Sequence, residues 1–198
     1  METDSIARLK ITLNHVVPAV MRRIEVPLEI PLDQLHLVLQ AAMGWSNDHL
    51  YEIRAAGVGW GIPDPDWPGD GPRDAAKVRL VDVIEGIKTL KYLYDFGDGW
   101  EHKIKIERLV DPVPGILYPR LIAATGRCPP EDVGGPWGYA DFLDVIGDPE
   151  HPRHAELSEW VDDDFDPAVA DTDARAEEVA LLTSYWSRKP AAKRARAR

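Results

Sequence analysis

The sequence has very little cysteine and no long hydrophobic run. Cys128 is the single cysteine among 198 residues, which excludes an intrachain disulfide and a cysteine-rich zinc site. No apolar stretch approaches the roughly 18 residues needed to span a bilayer. The first residues, Met1–Ser5, are acidic and lack the basic start and apolar run of a secretion signal. These absences predict a cytoplasmic protein with no membrane partner.

Basic residues are scarce relative to acidic ones and are unevenly distributed. The chain has 23 Lys and Arg against 34 Asp and Glu, a formal net charge of −11. Residues 188–198 hold six basic residues and no acid, which leaves −17 on residues 1–187. A body this acidic repels a nucleic-acid backbone unless a local patch overrides the net charge. Nucleic acid is therefore a candidate partner through the basic end and is disfavoured for the acidic body. We predict that 188–198 is a disordered solubilising tail, with a nucleic-acid-binding arm as the alternative.

Length and hydrophobic periodicity predict one α+β domain over residues 1–187. Strands and helices do not alternate regularly, which favours a largely antiparallel sheet with a central β-hairpin and helices packed on it. Arg22 and Arg23 are interpreted as the solvent side of the second strand. The predicted strands are 7–13, 20–26, 49–54, 89–96, 100–107 and 119–125, the predicted helices are 32–43, 135–146, 153–161 and 172–187, and 57–72 is predicted to be a loop.

The clearest local signal is a hairpin over residues 92–102. A three-residue loop, 97–99, pairs Phe96 with Trp100 and Tyr94 with His102, which makes one face almost wholly apolar. We therefore predict this register. It places His102 beside aromatic rings, where a histidine is more often a hydrogen-bonded core residue than a ligand or a base.

The same register places Asp95 opposite Glu101 on the other face. Like charges directly across a ladder are unfavourable, so a cation is expected nearby. A neighbouring lysine is the simpler source. A divalent metal held by Asp95, Asp98 and Glu101 is the functional alternative.

A second unusual segment spans residues 127–139. Glu131 and Asp132 precede the predicted helix start, where the helix dipole favours acidic groups. Alternatively, Arg127 and the backbone amides before that helix cradle an anion. Cys128 as a nucleophile needs a base that no spacing supplies. We expect the two segments to meet and form a pocket whose candidate residues are Asp95, Asp98, Trp100, Glu101, His102, Arg127, Cys128, Glu131, Asp132 and Tyr139.

Several stretches together resemble the plasmid pRiA4b ORF-3-like family. They are residues 94–102, 128–135 with Gly138-Tyr139, 165–167, and 42–45 followed by His49-Leu50. The resemblance covers about residues 5–168. It implies an α+β domain found in bacteria and archaea, often encoded on plasmids or carried by transposable elements. Some members carry a resolvase-like label, but the serines here lie in no recombinase context, and the resemblance implies no catalytic residues.

Three functional hypotheses follow. The first is a binding or interaction module linked to mobile elements, without established catalytic activity, whose partner is a protein or a small molecule. Three features favour it: the acidic body, the tryptophans Trp60 and Trp67 in an exposed loop, and the lack of a complete set of catalytic residues. The alternative is a divalent-metal-dependent hydrolase, with nucleic acid as one substrate class. DNA binding through the basic tail ranks last, because no recognition helix is evident.

Overall fold

The computed structural model describes residues 5–65, 69, 71–162 and 165–188, and these form eight strands and five helices. The strands are β1 (Ile6–Leu13), β2 (Met21–Pro27), β3 (Tyr51–Ala55), β4 (Val58–Gly61), β5 (Arg73–Asp74), β6 (Thr89–Tyr94), β7 (Trp100–Val110) and β8 (Arg120–Thr125). The helices are α1 (Leu32–Met43), α2 (Leu80–Val83), α3 (Gly135–Ile146), α4 (His154–Ser158) and α5 (Thr172–Arg188).

All eight strands lie in one sheet, in the order β5-β4-β3-β6-β7-β1-β2-β8. The pairings are antiparallel except the short parallel contact between β4 and β5. The hairpin of β6 and β7 lies at the centre. The predicted α+β class and single domain with a largely antiparallel sheet are therefore confirmed. Along the described parts of the chain, no helix has both the length and the apolar character that crossing a bilayer requires.

One face of the sheet carries the core, and α1 and α5 cover it. The apolar stripe of α1, with Leu32, Leu35 and Leu39 at helical spacing, is fully buried. The helix ends at Gly44, whose φ of 95° permits its N–H to donate to the Gln40 carbonyl at 2.8 Å. The other helix, α5, packs against β8 and α1. Polar side chains alternate onto the opposite sheet face.

The interpretation of Arg22 as a solvent-facing residue is wrong, whereas Arg23 does lie on the polar face. Arg22 is 1% exposed. Its Nε donates to the Ala42 carbonyl at the end of α1, and its Nη1 donates to the carbonyls of Met21, Thr125 and Gly126. Burial lowers the pKa of Arg22 from its ordinary value. A guanidinium fits here because its forked donors satisfy several carbonyls at once.

The predicted register of the central hairpin is also wrong. Tyr94 pairs with Trp100 and Tyr92 with His102, so five residues connect β6 to β7. Asp95 begins the connection with a φ of 54°, and its Oδ1 accepts from the Gly97 N–H at 2.9 Å. This local turn ends β6 two residues early and leaves Phe96 52% exposed. Because the slip is two residues, the side chains that remain in the two strands keep their predicted faces.

The slip removes the argument for a cation between Asp95 and Glu101. Leu93 lies opposite Glu101, and Asp95 lies beyond the strand. The two carboxylates therefore do not face each other across the ladder. Lys91 pairs instead with Lys103 on the polar face.

The predicted loop 57–72 begins with a strand. Trp60 on β4 pairs with Ile53 and is 7% exposed, so its assignment to an exposed loop is wrong. Three parts of the predictions lie outside the described residues. They are Trp67, the acidic residues Asp163 and Asp164, and residues 189–198 of the predicted tail. The sequence prediction missed α2 and made α4 too long.

A buried polar network links α1 to the sheet. The Tyr92 hydroxyl lies 2.9 Å from Nδ1 of His36 and accepts from Gln40 Nε2 at 2.8 Å. Nε2 of His36 bonds to Asn47, and the ring stacks on Tyr51 with centroids 3.5 Å apart. These contacts are consistent with a neutral imidazole that donates through Nε2 and accepts through Nδ1.

Burial lowers the pKa of both His36 and His102 from 6.5 to about 4. Between these pH values the unfolded chain binds protons that the folded protein excludes. The free energy of unfolding therefore falls as pH drops from 6.5 towards 4, by up to about 1.4 kcal/mol per pH unit for each histidine. Urea unfolding at pH 7, 6 and 5 measures this slope. His36→Gln is expected to flatten it and the control His154→Gln to leave it unchanged; equal slopes would contradict the assignment.

Candidate functional site

Three segments from distant parts of the chain meet at one end of the sheet. They are the stretch after α1, residues 44–50; the hairpin connection, 95–99; and the segment before α3, 127–135. Tyr94 donates from its hydroxyl to Oε1 of Glu131 at 2.7 Å, and the Gly134 N–H donates to Oδ2 of Asp98 at 3.1 Å. The two segments singled out in the sequence are thus in direct contact.

The Trp45 side chain lies where the three segments meet. Its Nε1–H donates to the Pro129 carbonyl at 3.0 Å. Its ring stacks on Tyr94 with centroids 4.9 Å apart and packs edge-on against His102 at 5.4 Å. Because Trp45 directly follows the glycine that ends α1, this contact sets where the chain towards β3 leaves the helix.

The imidazole of His49 lies between two carboxylates. Nε2 is 3.2 Å from Oδ1 of Asp132, and Nδ1 is 3.8 Å from Oδ2 of Asp95. One ligand atom from each residue lies within 4.8 Å of the others. The Asp95 side chain is nearly buried, whereas that of Asp132 is 74% exposed. Within the described residues, Nε2 has no aligned hydrogen bond, so it approaches Asp132 closely without forming one.

Backbone conformation at these positions is uncommon. Asp95 and Asp132 have φ values of 54° and 58°, in the left-handed region that few non-glycine residues adopt. Such conformations cost of order 1–3 kcal/mol and cluster at functional sites. Here they turn two carboxylates towards one imidazole.

More carboxylates surround this imidazole. Ser46 Oγ lies 2.5 Å from Oδ2 of Asp48 and 2.5 Å from Oε2 of Glu131. A hydroxyl donates only one proton, so it satisfies one of these two carboxylates at a time. Burial, and then the bond to Glu131, raise the pKa of Tyr94, so its phenol stays protonated and donates. The result is a dense negative cluster beside His49.

The chain's own carboxylates occupy the donors of the predicted anion cradle. Gly134 donates to Asp98, as described above. Arg127 donates to Oδ1 of Asp171 at 2.6 Å and lies over the Phe165 ring. The carboxylate that complements the start of α3 is thus Asp98, while Glu131 and Asp132 turn towards Tyr94 and His49.

The other candidate residues fall elsewhere. Glu101 is exposed on the polar sheet face. Trp100, His102 and Tyr139 are buried in the core. His102 Nδ1 lies 3.0 Å from the Trp100 carbonyl, and Nε2 has no partner among the described residues. Burial raises the pKa of Tyr139 to about 12. Trp100, His102 and Tyr139 are therefore core residues that pack beneath the surface of the site.

A cavity of about 240 Å³ adjoins the carboxylate cluster. Arg22, Trp45, Cys128 and Trp160 are among its lining residues. Burial raises the pKa of Cys128 to about 12 against the opposing effect of Arg22 and Arg175. The thiol is therefore protonated at neutral pH and is a poor nucleophile.

Sequence reasoning missed His49, Ser46 and Asp48 as site residues. A signal was present, since Trp45 and His49 belong to the stretch after α1 that carries the family resemblance. The spacing of residues along the sequence did not predict that this stretch would contact the other two segments.

Replacing Trp45 with Phe should destabilise the fold by about 1–3 kcal/mol, because the Pro129 carbonyl loses its donor in a buried setting. Trp137 is 89% exposed, so the matched change Trp137→Phe should alter stability by less than about 0.5 kcal/mol. Urea unfolding of both variants measures the difference. Equal effects would show that the Trp45 contact does not stabilise the fold.

Cys128 should react slowly with a thiol reagent in the native protein at pH 7.5 and fully, with one equivalent, after unfolding in guanidinium. The cause is that burial raises the pKa of the thiol, which is therefore protonated at pH 7.5. Absorbance of the released thiolate from an aromatic disulfide reagent follows the reaction. Complete labelling of the native protein within seconds would contradict an inert thiol.

Comparisons with known proteins agree with this architecture. The chain is 55% identical over 188 residues to the uncharacterised protein y4hQ of Sinorhizobium fredii, covering 93% of this chain and 96% of that protein. The crystal structure of a protein of unknown function, MM3350 from Methanosarcina mazei Go1, superposes with a TM-score of 0.78 at 33% identity, over 85% of this chain and 96% of that one. The family model described as plasmid pRiA4b ORF-3-like protein matches residues 5–174. The chain therefore belongs to the plasmid pRiA4b ORF-3-like family.

Proposed function

We propose that the chain is a binding module whose ligand is a divalent metal ion at His49, Asp95 and Asp132. The observation that carries the proposal is the approach of one imidazole nitrogen and two carboxylate oxygens to within 4.8 Å of one another. Ligand bonds of roughly 2.0–2.2 Å hold the donors of one ion about 3–4 Å apart. The 3.2 Å between His49 Nε2 and Asp132 lies in that range already. Asp95, whose carboxylate lies 3.8 Å from Nδ1, must move to reach the same ion.

The electrostatics of the site support a cation. Asp48 and Glu131 add negative charge beside the three ligands, and one serine hydroxyl serves both. An imidazole binds an ion through one nitrogen only, so the two carboxylates that flank the ring must converge on the same side of it.

The donor set selects the class of metal. Mixed nitrogen and oxygen donors suit Zn²⁺, Mn²⁺ or Fe²⁺ better than Mg²⁺ or Ca²⁺, which prefer oxygen alone. We infer an affinity order of Zn²⁺ above Mn²⁺ above Mg²⁺. This ligand set replaces the trio Asp95, Asp98 and Glu101, because Asp98 binds a backbone amide and Glu101 lies on the polar sheet face.

Calorimetric titration of metal-stripped protein tests the proposal. His49→Asn and Asp132→Asn should each weaken Zn²⁺ binding by about 10–100-fold or more. Glu101→Gln is the matched control and should bind like the unaltered protein. Equal binding by all variants, or no binding by the unaltered protein, would overturn the site.

A metal-dependent hydrolase is the second candidate, and one observation favours it. Asp132 is largely exposed, so an ion held by three protein ligands keeps an open side for water or substrate, as in catalytic metal sites. The test is phosphoesterase activity of the protein loaded with Zn²⁺ or Mn²⁺. Activity that the Asp132→Asn substitution abolishes would establish the enzyme. Metal binding without turnover would leave the binding module.

The setting proposed for this module is the cytoplasm of a cell carrying mobile DNA. The plasmid in the family description supports that association.

A further inference from the structure

We propose that the polar face of the sheet binds the phosphate backbone of double-stranded nucleic acid. Residues paired directly across a ladder share a face, so the strand registers define the side chains on this surface. It carries nine basic and four acidic residues. The basic residues are Arg8, Lys10, Arg23, Arg54, Lys91, Lys103, Lys105, Arg108 and Arg120, and the acidic ones are Glu25, Glu52, Glu101 and Glu107. We call this surface the basic sheet face.

Like charges face each other across the ladders of the basic sheet face. Lys10 lies between Arg23 and Lys105 on the neighbouring strands. Lys91 lies between Arg54 and Lys103 in the same way. Directly opposed side chains are about 5 Å apart at Cβ, and like charges at that spacing are unfavourable unless an anion lies nearby.

Three of the four acids on this surface form their ion pairs with arginines, although the charges of Lys10 and Lys105 also act on Glu107. Glu25 pairs with Arg8 and with Arg120, at 2.5 and 2.7 Å. Glu107 and Glu52 pair with Arg23 and Arg54, at 2.8 and 2.6 Å. Within the described residues, none of the four lysines forms an ion pair. They are Lys10, Lys91, Lys103 and Lys105.

This surface contrasts with the formal charge of −11 on the whole chain. The lysines alternate with apolar core residues along β1, β6 and β7, so the sheet moves them to one side. A local patch of this kind attracts a polyanion despite an acidic remainder. The basic sheet face is such a local patch, within a body whose net charge disfavours nucleic acid.

Charge complementarity favours the nucleic-acid backbone as the occupant. Adjacent strands and alternate residues space the lysines roughly 5–7 Å apart in two directions, a spacing that suits the regular phosphates of a duplex. The uncharged residues paired on this face, among them Thr12, Met21, Thr89 and Leu93, include no aromatic ring. Binding through stacked single-stranded bases therefore has no platform here. The interaction expected is with phosphates and independent of sequence.

Fluorescence anisotropy of a labelled 20-base-pair duplex with the full chain, at several salt concentrations from 50 to 200 mM, tests the proposal. Two variants remove four positive charges each. The face variant is Lys10→Gln, Lys91→Gln, Lys103→Gln and Lys105→Gln. The tail variant is Lys189→Gln, Lys193→Gln, Arg194→Gln and Arg196→Gln.

The face variant should bind at least tenfold more weakly at 100 mM salt. Its slope of log affinity against log salt should fall by about 0.9 for each lost phosphate contact. The tail variant should keep most of the affinity. The face variant should also melt at or above the temperature of the unaltered protein, because opposed like charges have been removed.

Three outcomes would overturn the proposal. The first is equal affinity of the face variant and the unaltered protein. The second is loss of binding in the tail variant alone. The third is that the unaltered protein does not bind the duplex but forms dimers in sedimentation velocity, and that the face variant no longer forms these dimers. That result would assign the basic sheet face to contact with an acidic surface of a second copy. None of these involves His49 or Asp132, so the metal site stands or fails separately.

Discussion

The indole of Trp45 is the contact on which the candidate site depends. It emerges directly after the glycine that ends α1, stacks on Tyr94 from the central hairpin, and donates to the Pro129 carbonyl before α3. One ring thus connects three segments whose separations along the chain run to 84 residues. Because the ring is buried, its N–H needs that carbonyl. The cluster around His49 lies beside this contact and takes its geometry from it.

Arg22 holds the neighbouring part of the structure together in a different way. Its guanidinium joins the end of α1 to the start of β2 and the end of β8 through four carbonyls. The partial negative charge at a helix C-terminus favours a cation there. One side chain thus donates to backbone carbonyls of three segments. Arg22 also lines the cavity next to the carboxylate cluster.

The fold separates charge as well as polarity. Carboxylates gather around His49 where the three segments meet, while lysines gather on the basic sheet face. A single net charge for the chain conceals both. Each cluster suits a ligand of opposite sign, a metal cation in one case and phosphates in the other. Four arginines on the basic sheet face pair with acids, and the lysines are left to contact a ligand.

Local pattern explains which predictions from sequence succeeded. Alternation of apolar and polar residues identified the main strands and their faces, since a strand repeats every two residues. Even the wrong register at Tyr94 and Trp100 kept each side chain on its face. The side chain of Asp95 bonding to its own turn was the detail that periodicity does not encode.

By itself, the sequence determined the α+β class, the apolar faces of the main strands, and the family. Tertiary structure alone decided that Arg22 is buried, that His49 meets Asp95 and Asp132, and that lysines from three strands share one surface. The physical reason is the distance along the chain over which each kind of interaction acts. Hydrophobic periodicity and turn chemistry act over a few residues, whereas these contacts join positions brought together only when the whole sheet and its helices pack.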